Sequence, residues 1–278
     1  MTDFSETGLG LNILVCIKFT VDSNLLQTDE ATGMPDFKHA TYRISAFDEN
    51  AIEAALQLAN HPSRKVVAVS LLKTPPPKEV MLKVLAMGID ALYIIKDDEE
   101  LANDAFSIAS VLVAAVNTIR DQENIKSWDL VVCGEASDDD YNSQVGPRLG
   151  TDLGLPIITY ATQLSLEGNC LTAKRAIEER VETVETDLPA LVTVGLEIND
   201  PRMPTVLQIM GAGRKPIVEL CVSKLEGYDS FSLNTKNSIR DLEIFSPPSL
   251  RKQNVIEGEN SEEIVEELLR QLGSEGEV

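Results

Sequence analysis

Histidine is nearly missing from this chain, with only His39 and His61 among 278 residues, both in polar stretches. A three-histidine metal site is therefore excluded, and a triad built on a histidine base has no good candidate. Four cysteines (Cys16, Cys133, Cys170 and Cys221) contain no C-x-x-C pair, which removes zinc ribbons and dithiol redox motifs. Cys16 and Cys133 lie inside apolar runs and read as small buried hydrophobes, a usage that fits a reducing compartment. No apolar run reaches the roughly 18 residues a membrane helix needs, so no membrane insertion is expected. Neither G-x-G-x-x-G nor G-x-x-x-x-G-K-[ST] occurs, so the usual dinucleotide and triphosphate fingerprints are missing. Positive charge is also scarce. Lys and Arg number 24 against 45 Asp and Glu, a net charge of −21, which repels nucleic acid and anionic membrane surfaces alike. The first ten residues are acidic and polar, unlike a signal or transit peptide, and a cytoplasmic location is expected.

What is present is the balance of a globular chain, 43% hydrophobic and 25% charged, long enough to bury a core without metals or disulfides. Apolar runs at 11–17, 66–72, 91–95 and 130–133 read as buried parallel strands. Between them, Ala51, Ile52, Ala55, Leu56 and Ala59 recur at helical spacing over 48–59, with Asp48 as N-cap. Val80, Val84 and Leu85 repeat the pattern over 78–87 until Gly88 stops it, and 101–119 is the longest helix. Strand alternating with helix predicts an α/β fold: a three-layer, doubly wound, mostly parallel sheet with right-handed crossovers. After Pro156 the pattern changes. Leu164, Leu166, Leu171 and Ala173 alternate around Glu167, Gly168 and Asn169, predicting an antiparallel hairpin at the sheet edge. Charged alternation over 180–187 then precedes a further core strand over 188–194. Residues 199–215, with Pro201 and Pro204, form a connection too long and irregular to be ordinary, and such loops are usually functional. The expected domains are an α/β nucleotide-binding domain over 1–215 and an extended C-terminal arm over 216–278. The arm has little core of its own. Its last helix, 261–272, carries Ile264, Val265, Leu268 and Leu269, which need a surface to bury against.

In open parallel sheets, ligands bind outside the carboxyl ends of the strands. The turn after 130–133 is the best candidate: Gly134, Glu135, Ala136, Ser137, Asp138, Asp139, Asp140, Tyr141, Asn142, Ser143, Gln144 and Val145. Gly134 lets the backbone approach a ligand, and Asn142 or Ser143 caps the helix opened at Pro147, whose free N–H groups suit a phosphate. Asp138, Asp139 and Asp140 should turn to solvent, a ribose hydroxyl or helix donors, leaving phosphate to backbone N–H groups and to Asn142, Ser143 and Gln144. The alternative is an acidic surface loop with an ordinary cap. Lys18, ending the first strand, either supplies charge to a phosphate or is a solvated strand-end lysine. Ser45, Ala46, Phe47 and Asp48 either border an adenine or form a helix cap with Phe47 as its staple.

These segments, taken in order, resemble the beta subunit of electron-transfer flavoprotein over residues 12–250. The stretch from Leu14 to Lys18 is similar to the family's opening strand, and Phe47 to Ala55 to its F-D-E-x-A helix start. Val66 to Ser70 and Ala86 to Gly88 match the next strand and helix end. Asp129 to Gly134 leads into the nucleotide loop, which Gln144, Val145, Gly146 and Pro147 close. Leu188 to Val194, Asp200 to Arg202, and Ile209 with Met210 match its later signature. The resemblance implies a heterodimer with a larger alpha subunit that carries the electron-transferring FAD. It implies a structural AMP in beta or, in electron-bifurcating members, a second FAD in the same pocket. Electrons would come from acyl-CoA or related dehydrogenases and pass to a quinone- or ferredoxin-linked acceptor oxidoreductase. No side chain of beta would do bond chemistry, so no catalytic residue and no metal ligand is carried over.

By the same resemblance the pocket comprises Cys16, Ser45, Ala46, Phe47, Asp48, Leu71 and the loop 134–145, and 199–215 docks the donor with Val206 at the anchor position and Leu207 beside it. Ser45 and Ala46 stand where the family has Asn-Pro. Asp139, Asp140, Tyr141 and Asn142 stand where bifurcating members carry Asp-Gly-Asp-Thr, and the missing glycine favours AMP over a second FAD. Two other classes share this architecture. A nucleotide-sensing α/β binding protein would carry G-x-x-G-x(9)-G-[ST] after the fourth strand, and an ATP-splitting transferase S-G-G-x-D-S after the first. Neither motif is present.

Overall fold

A computed structural model describes residues 10–22, 24–29, 32, 34–37, 40–59, 63–99, 101, 104–178, 180–228 and 254–275. Its strands are β1 (Asn12–Cys16), β2 (Phe19–Val21), β3 (Gln27–Thr28), β4 (Pro35–Asp36), β5 (Tyr42–Ile44), β6 (Lys65–Leu72), β7 (Ala91–Lys96), β8 (Leu130–Gly134), β9 (Ile157–Glu167), β10 (Cys170–Ile177), β11 (Arg180–Asp187), β12 (Ala190–Val194) and β13 (Ile217–Cys221). The helices are α1 (Ala46–Leu58), α2 (Lys78–Met87), α3 (Ala105–Gln122), α4 (Val145–Leu153), α5 (Val206–Ala212) and α6 (Ser261–Glu275).

Nine of the strands form one sheet in the order β11-β10-β9-β12-β8-β1-β6-β7-β13. The seven from β9 to β13 in that order pair in parallel, as the continuous apolar runs of β1, β6, β7 and β8 predict for those four. Side chains alternate across the sheet. Ile13 and Val15 pack with Ala51, Ile52 and Leu85 of α1 and α2, whereas Leu14 and Cys16 pack with Ala109, Leu112 and Leu149 of α3 and α4. Three layers result. From β1 the chain builds outward through β6 and β7, then returns to place β8 on the other side of β1. The ends of β1 and β8 therefore form the topological switch point, where the sheet opens a crevice.

At the far edge, β10 runs antiparallel to both β9 and β11, realising the hairpin predicted there, with Gly168 at φ 61° in its turn. Outer strand β11 carries charges at Arg180, Glu182, Glu185 and Asp187 and is largely exposed, which guards the edge against further pairing.

Several expectations need correction. Helix α1 begins at Ala46, and Asp48 is not its cap but a buried residue of its first turn. Helix α3 starts at Ala105 rather than 101, because Asp104 accepts from the N–H groups of Phe106 and Ser107 at 2.9 and 3.0 Å. Within the segment expected to be irregular, α5 forms behind a capping box between Thr205 and Gln208. Strand β13 lies beyond Pro216 and pairs with β7 from Ile217 opposite Leu92 to Cys221 opposite Lys96. The sheet therefore runs past the boundary expected at 215, because a pentapeptide with four apolar residues and Glu219 after a proline suits a half-exposed edge strand. A second compact unit comprises 28–35 and 244–278, and its described part includes α6. Residues 229–253 and 276–278 of the expected arm lie outside the described residues.

Candidate functional site: a cleft at the strand ends

A cleft of about 350 Å³ opens at the switch point. Cys16 and Cys133 form part of its floor; Val69, Leu71 and Leu72 of β6 and Leu101, Ile108 and Leu112 wall one side. The opposite rim is the loop after β8 together with the start of α4 at Gln144, Val145 and Gly146. Gly146 is required by packing: a Cβ there would meet Thr193 Cγ2 at 2.5 Å. That close approach brings the α4 N-terminus, with its unpaired N–H groups, down to the cleft.

Asp48 ties the rim together. The Lys18 N–H donates to its Oδ2 at 2.7 Å and the Gly134 N–H to its Oδ1 at 3.1 Å, so one carboxyl bridges the ends of β1 and β8 to α1. Burial pushes Asp48 up to about 7, with Asp138 adding to the rise, while the two N–H donors and the Lys18 charge oppose it. Gly134 is also required by this clamp: a Cβ there would meet Asp48 Oδ1 at 2.5 Å and Phe47 Cβ at 2.8 Å.

The acidic loop is held by ion pairs. Lys18 Nζ lies 2.8 Å from Asp139 Oδ1 and 2.6 Å from Asp140 Oδ2. Burial alone would lower Lys18, but the two carboxylates raise it; burial alone would raise Asp139, but Lys18 and the Ser137 hydroxyl hold it below the ordinary range. Asp138 Oδ2 accepts from the Ala46 N–H at 3.0 Å and pairs with Arg43 at 3.3 Å. The predicted helix donor is thus found for Asp138, whereas Asp139 and Asp140 are exposed as expected and also pair with Lys18. Asn142 Oδ1 accepts from the Gln144 N–H at 3.0 Å, an Asx turn leading into α4. The cap position itself falls on Gln144, with no side-chain bond, rather than on Asn142 or Ser143.

Of the residues anticipated from sequence, Cys16, Asp48, Leu71, Gly134, Glu135 and Ala136 line the cleft, as do Ser137, Asp140, Asn142, Ser143, Gln144 and Val145. Ser45, Ala46, Phe47, Asp138, Asp139 and Tyr141 do not. Phe47 is buried and meets Tyr141 edge-on with centroids 5.5 Å apart, so it supports the loop from behind. Ser45 is buried with its hydroxyl unpaired among the described residues. Sequence reasoning missed the α3 wall, whose apolar residues read as ordinary core, and Lys73 with Asp97 at the opening.

The electron transfer flavoprotein domain matches residues 37–225. The chain is 34% identical over 269 residues to the electron transfer flavoprotein subunit beta of Bacillus subtilis, covering 96% of this chain and all of that one. It is 30% identical over 272 residues to the corresponding subunit of Megasphaera elsdenii, covering 94% and 98%. The chain belongs to the electron transfer flavoprotein family.

A second surface of this flavoprotein-family chain hangs on the same helix. Asn50 Nδ2 donates to the carbonyls of Leu196 at 3.1 Å and Asn199 at 2.6 Å, and Asn199 Nδ2 returns a bond to the Asn50 carbonyl at 3.1 Å. Arg202 grips Glu53 with two guanidinium bonds of 2.6 and 2.9 Å. Burial alone would raise Glu53, but Arg202 and Gln57 hold it below the ordinary carboxylate range. Beyond this anchor the chain presents apolar side chains to solvent: Met203 is 92% exposed, Val206 73% and Leu207 80%. Val206, Leu207, Ile209 and Met210 of α5 are all exposed, so this short helix carries a cluster of apolar side chains rather than a single one.

Proposed function

We propose that this chain is the beta subunit of a heterodimeric electron-transfer flavoprotein, with AMP in the switch-point cleft and FAD bound mainly by an alpha subunit. The observation that carries the nucleotide reading is the cleft itself: apolar walls beside a helix N-terminus at the β1/β8 crossing, within the roughly 300–1,000 Å³ of small-molecule sites. The residues fit a mononucleotide. Leu71, Leu72 and Leu112 offer apolar surface for a base, and the first turn of α4 offers N–H donors for one phosphate. They fit a second phosphate less well, since Lys18 is already neutralised by Asp139 and Asp140, and the Glu135 and Asp140 carboxylates face the same space. FAD in the partnered protein supplies the electron-carrying chemistry. This chain's part is to hold the nucleotide, keep the rim rigid and dock partners.

In the same reading, the segment 199–215 receives a donor dehydrogenase of the acyl-CoA type, with Val206 and Leu207 as anchors, and a quinone- or ferredoxin-linked oxidoreductase accepts the electrons. The tail pairs with alpha: Ile264, Val265, Leu268 and Leu269 of α6 are exposed and want an apolar partner. Expressed alone, the chain should be poorly behaved and rescued by alpha. A cytoplasmic setting accords with four free cysteines, and among the described residues no helix is long and apolar enough to cross a membrane. The test is to denature the purified heterodimer and quantify its nucleotides by chromatography. One FAD and one AMP per heterodimer is expected. Two FAD and no AMP would overturn the reading and make electron bifurcation the function.

A further inference from the structure

The cleft floor carries a pair of groups that nucleotide binding leaves unused. Cys16 and Cys133 are direct partners on the adjacent parallel strands β1 and β8. Both side chains belong to the α3/α4 face and both border the cleft. Paired residues on neighbouring strands have Cα atoms roughly 5 Å apart, within the span that one bridging atom or bond between two sulfurs tolerates. The two thiols also interact. Hydrogen bonding with Cys16, then burial, holds the Cys133 thiol well above its ordinary range.

The sheet order isolates this pair. Cys170 on β10 is three strands from β8, and Cys221 on β13 is three strands from β1, each roughly 14 Å away at ordinary strand spacing. No other two of the four cysteines can be joined by one atom. Among the described residues, no three His, Cys, Asp or Glu side chains cluster to hold a metal, so an occupant must be satisfied by two sulfurs.

We infer that Cys16 and Cys133 form a dithiol site that captures trivalent arsenicals inside the cleft. With phenylarsine oxide, the As–O double bond breaks, two As–S bonds form, and the two thiol protons leave with the oxygen as one water. Arsenic stays trivalent, so no oxidant or reductant is consumed. Peroxide oxidation is the less favoured chemistry, because it needs a thiolate and Cys133 is held protonated. The bridged adduct occupies the cleft floor and excludes a nucleotide.

The experiment treats the full-length chain, co-expressed with its alpha partner, with phenylarsine oxide and reads this chain by denaturing mass spectrometry. One adduct per chain is expected, stable to 2-mercaptoethanol and released by 2,3-dimercaptopropanol, and peptide mapping should join the Cys16 and Cys133 segments. The double variant Cys170→Ser/Cys221→Ser should keep the adduct; Cys16→Ser and Cys133→Ser should each lose it. Mapping of the wild-type adduct needs no variant to fold. An adduct on Cys170 or Cys221, or no adduct that survives 2-mercaptoethanol, would overturn the inference. Bridging does not depend on the nucleotide reading, whereas exclusion does. Loss of AMP from the bridged protein is expected, and AMP retained in full beside the bridge overturns the exclusion and counts against AMP in this cleft, not against the pair.

Discussion

At its first turn, helix α1 turns Asp48 inward to receive two backbone N–H groups; one turn later, Asn50 and Glu53 reach out to fasten residues 199–202. Both regions are gripped by the same helix, yet the grips differ in kind. The cleft rim is held through main-chain donors on a fully enclosed carboxyl. Residues 199–202, the base of the segment proposed to dock a partner, are held through a buried glutamate whose arginine partner has 41% of its side chain in solvent. The difference separates two requirements. A ligand cleft needs fixed strand ends, and only a few residue types can supply the acceptor. A surface proposed to dock a partner needs only an anchor at its base, here the Asn50–Asn199 bonds and the Glu53–Arg202 pair, which leave its apolar tip free.

The sharpest break of this contrast is Asp48→Ala. Two part-buried donors lose their acceptor at about 1–3 kcal/mol each, so unfolding free energy should fall by about 2–6 kcal/mol in denaturant titrations at pH 5, where folded Asp48 keeps its proton. A loss below about 1 kcal/mol would mean the clamp is incidental. The pH dependence follows next. Asp48 is raised in the fold from its ordinary range to about 7, so the folded state binds its proton more tightly than the unfolded state. Its contribution is therefore present at low pH and lost as pH rises from about 4 through 7, by at most about 4 kcal/mol. Denaturant midpoints at pH 5 and 7.5 should show this fall in the wild type and a smaller one in Asp48→Asn. An equal fall in both assigns the effect elsewhere.

Arg202→Ala comes third, at about 1–2 kcal/mol after allowance for its exposure. Its clearer signature is local. Amide exchange over 203–212 should quicken while the ends of β1 and β8 keep their protection, and unchanged exchange over 203–212 would remove the anchor from the account. The smallest effect on stability belongs to Val206→Ala with Leu207→Ala, within about 0.5 kcal/mol because neither side chain is packed. Electron transfer from an acyl-CoA dehydrogenase should nonetheless fall roughly 30-fold, the equivalent of about 2 kcal/mol at an interface anchor.

The parallel core was legible because its signals are local. Val66, Val67, Ala68 and Val69 are fully buried and read as an uninterrupted strand, and the helix over 78–87 ends at Gly88, whose φ is 134°. The helix start at 46 was misread because Asp48 resembles an N-cap, while its true partners lie 30 and 86 residues away. The same distance hid the ion pairs: Lys18 meets Asp139 and Asp140 only once β1 and β8 are neighbours. Helix α5 escaped notice because seven residues ending in Gly211 and Ala212 carry little propensity, and the capping box at Thr205 decides it. The α3 wall was invisible for another reason. Ile108 and Leu112 have the spacing of any buried helix face, and nothing in a sequence distinguishes a side chain facing a core from one facing a cleft.

The separation of cleft and docking surface is tested most directly by two heterodimers compared side by side, Ala136→Trp, which fills the cleft lip, and the Val206→Ala/Leu207→Ala pair. Bound AMP is measured after denaturation and the rate of reduction by an acyl-CoA dehydrogenase before it. The account predicts that Ala136→Trp loses AMP, and that the docking pair retains AMP in full while its rate collapses. Full AMP in Ala136→Trp, or AMP lost together with rate in the docking pair, would contradict it.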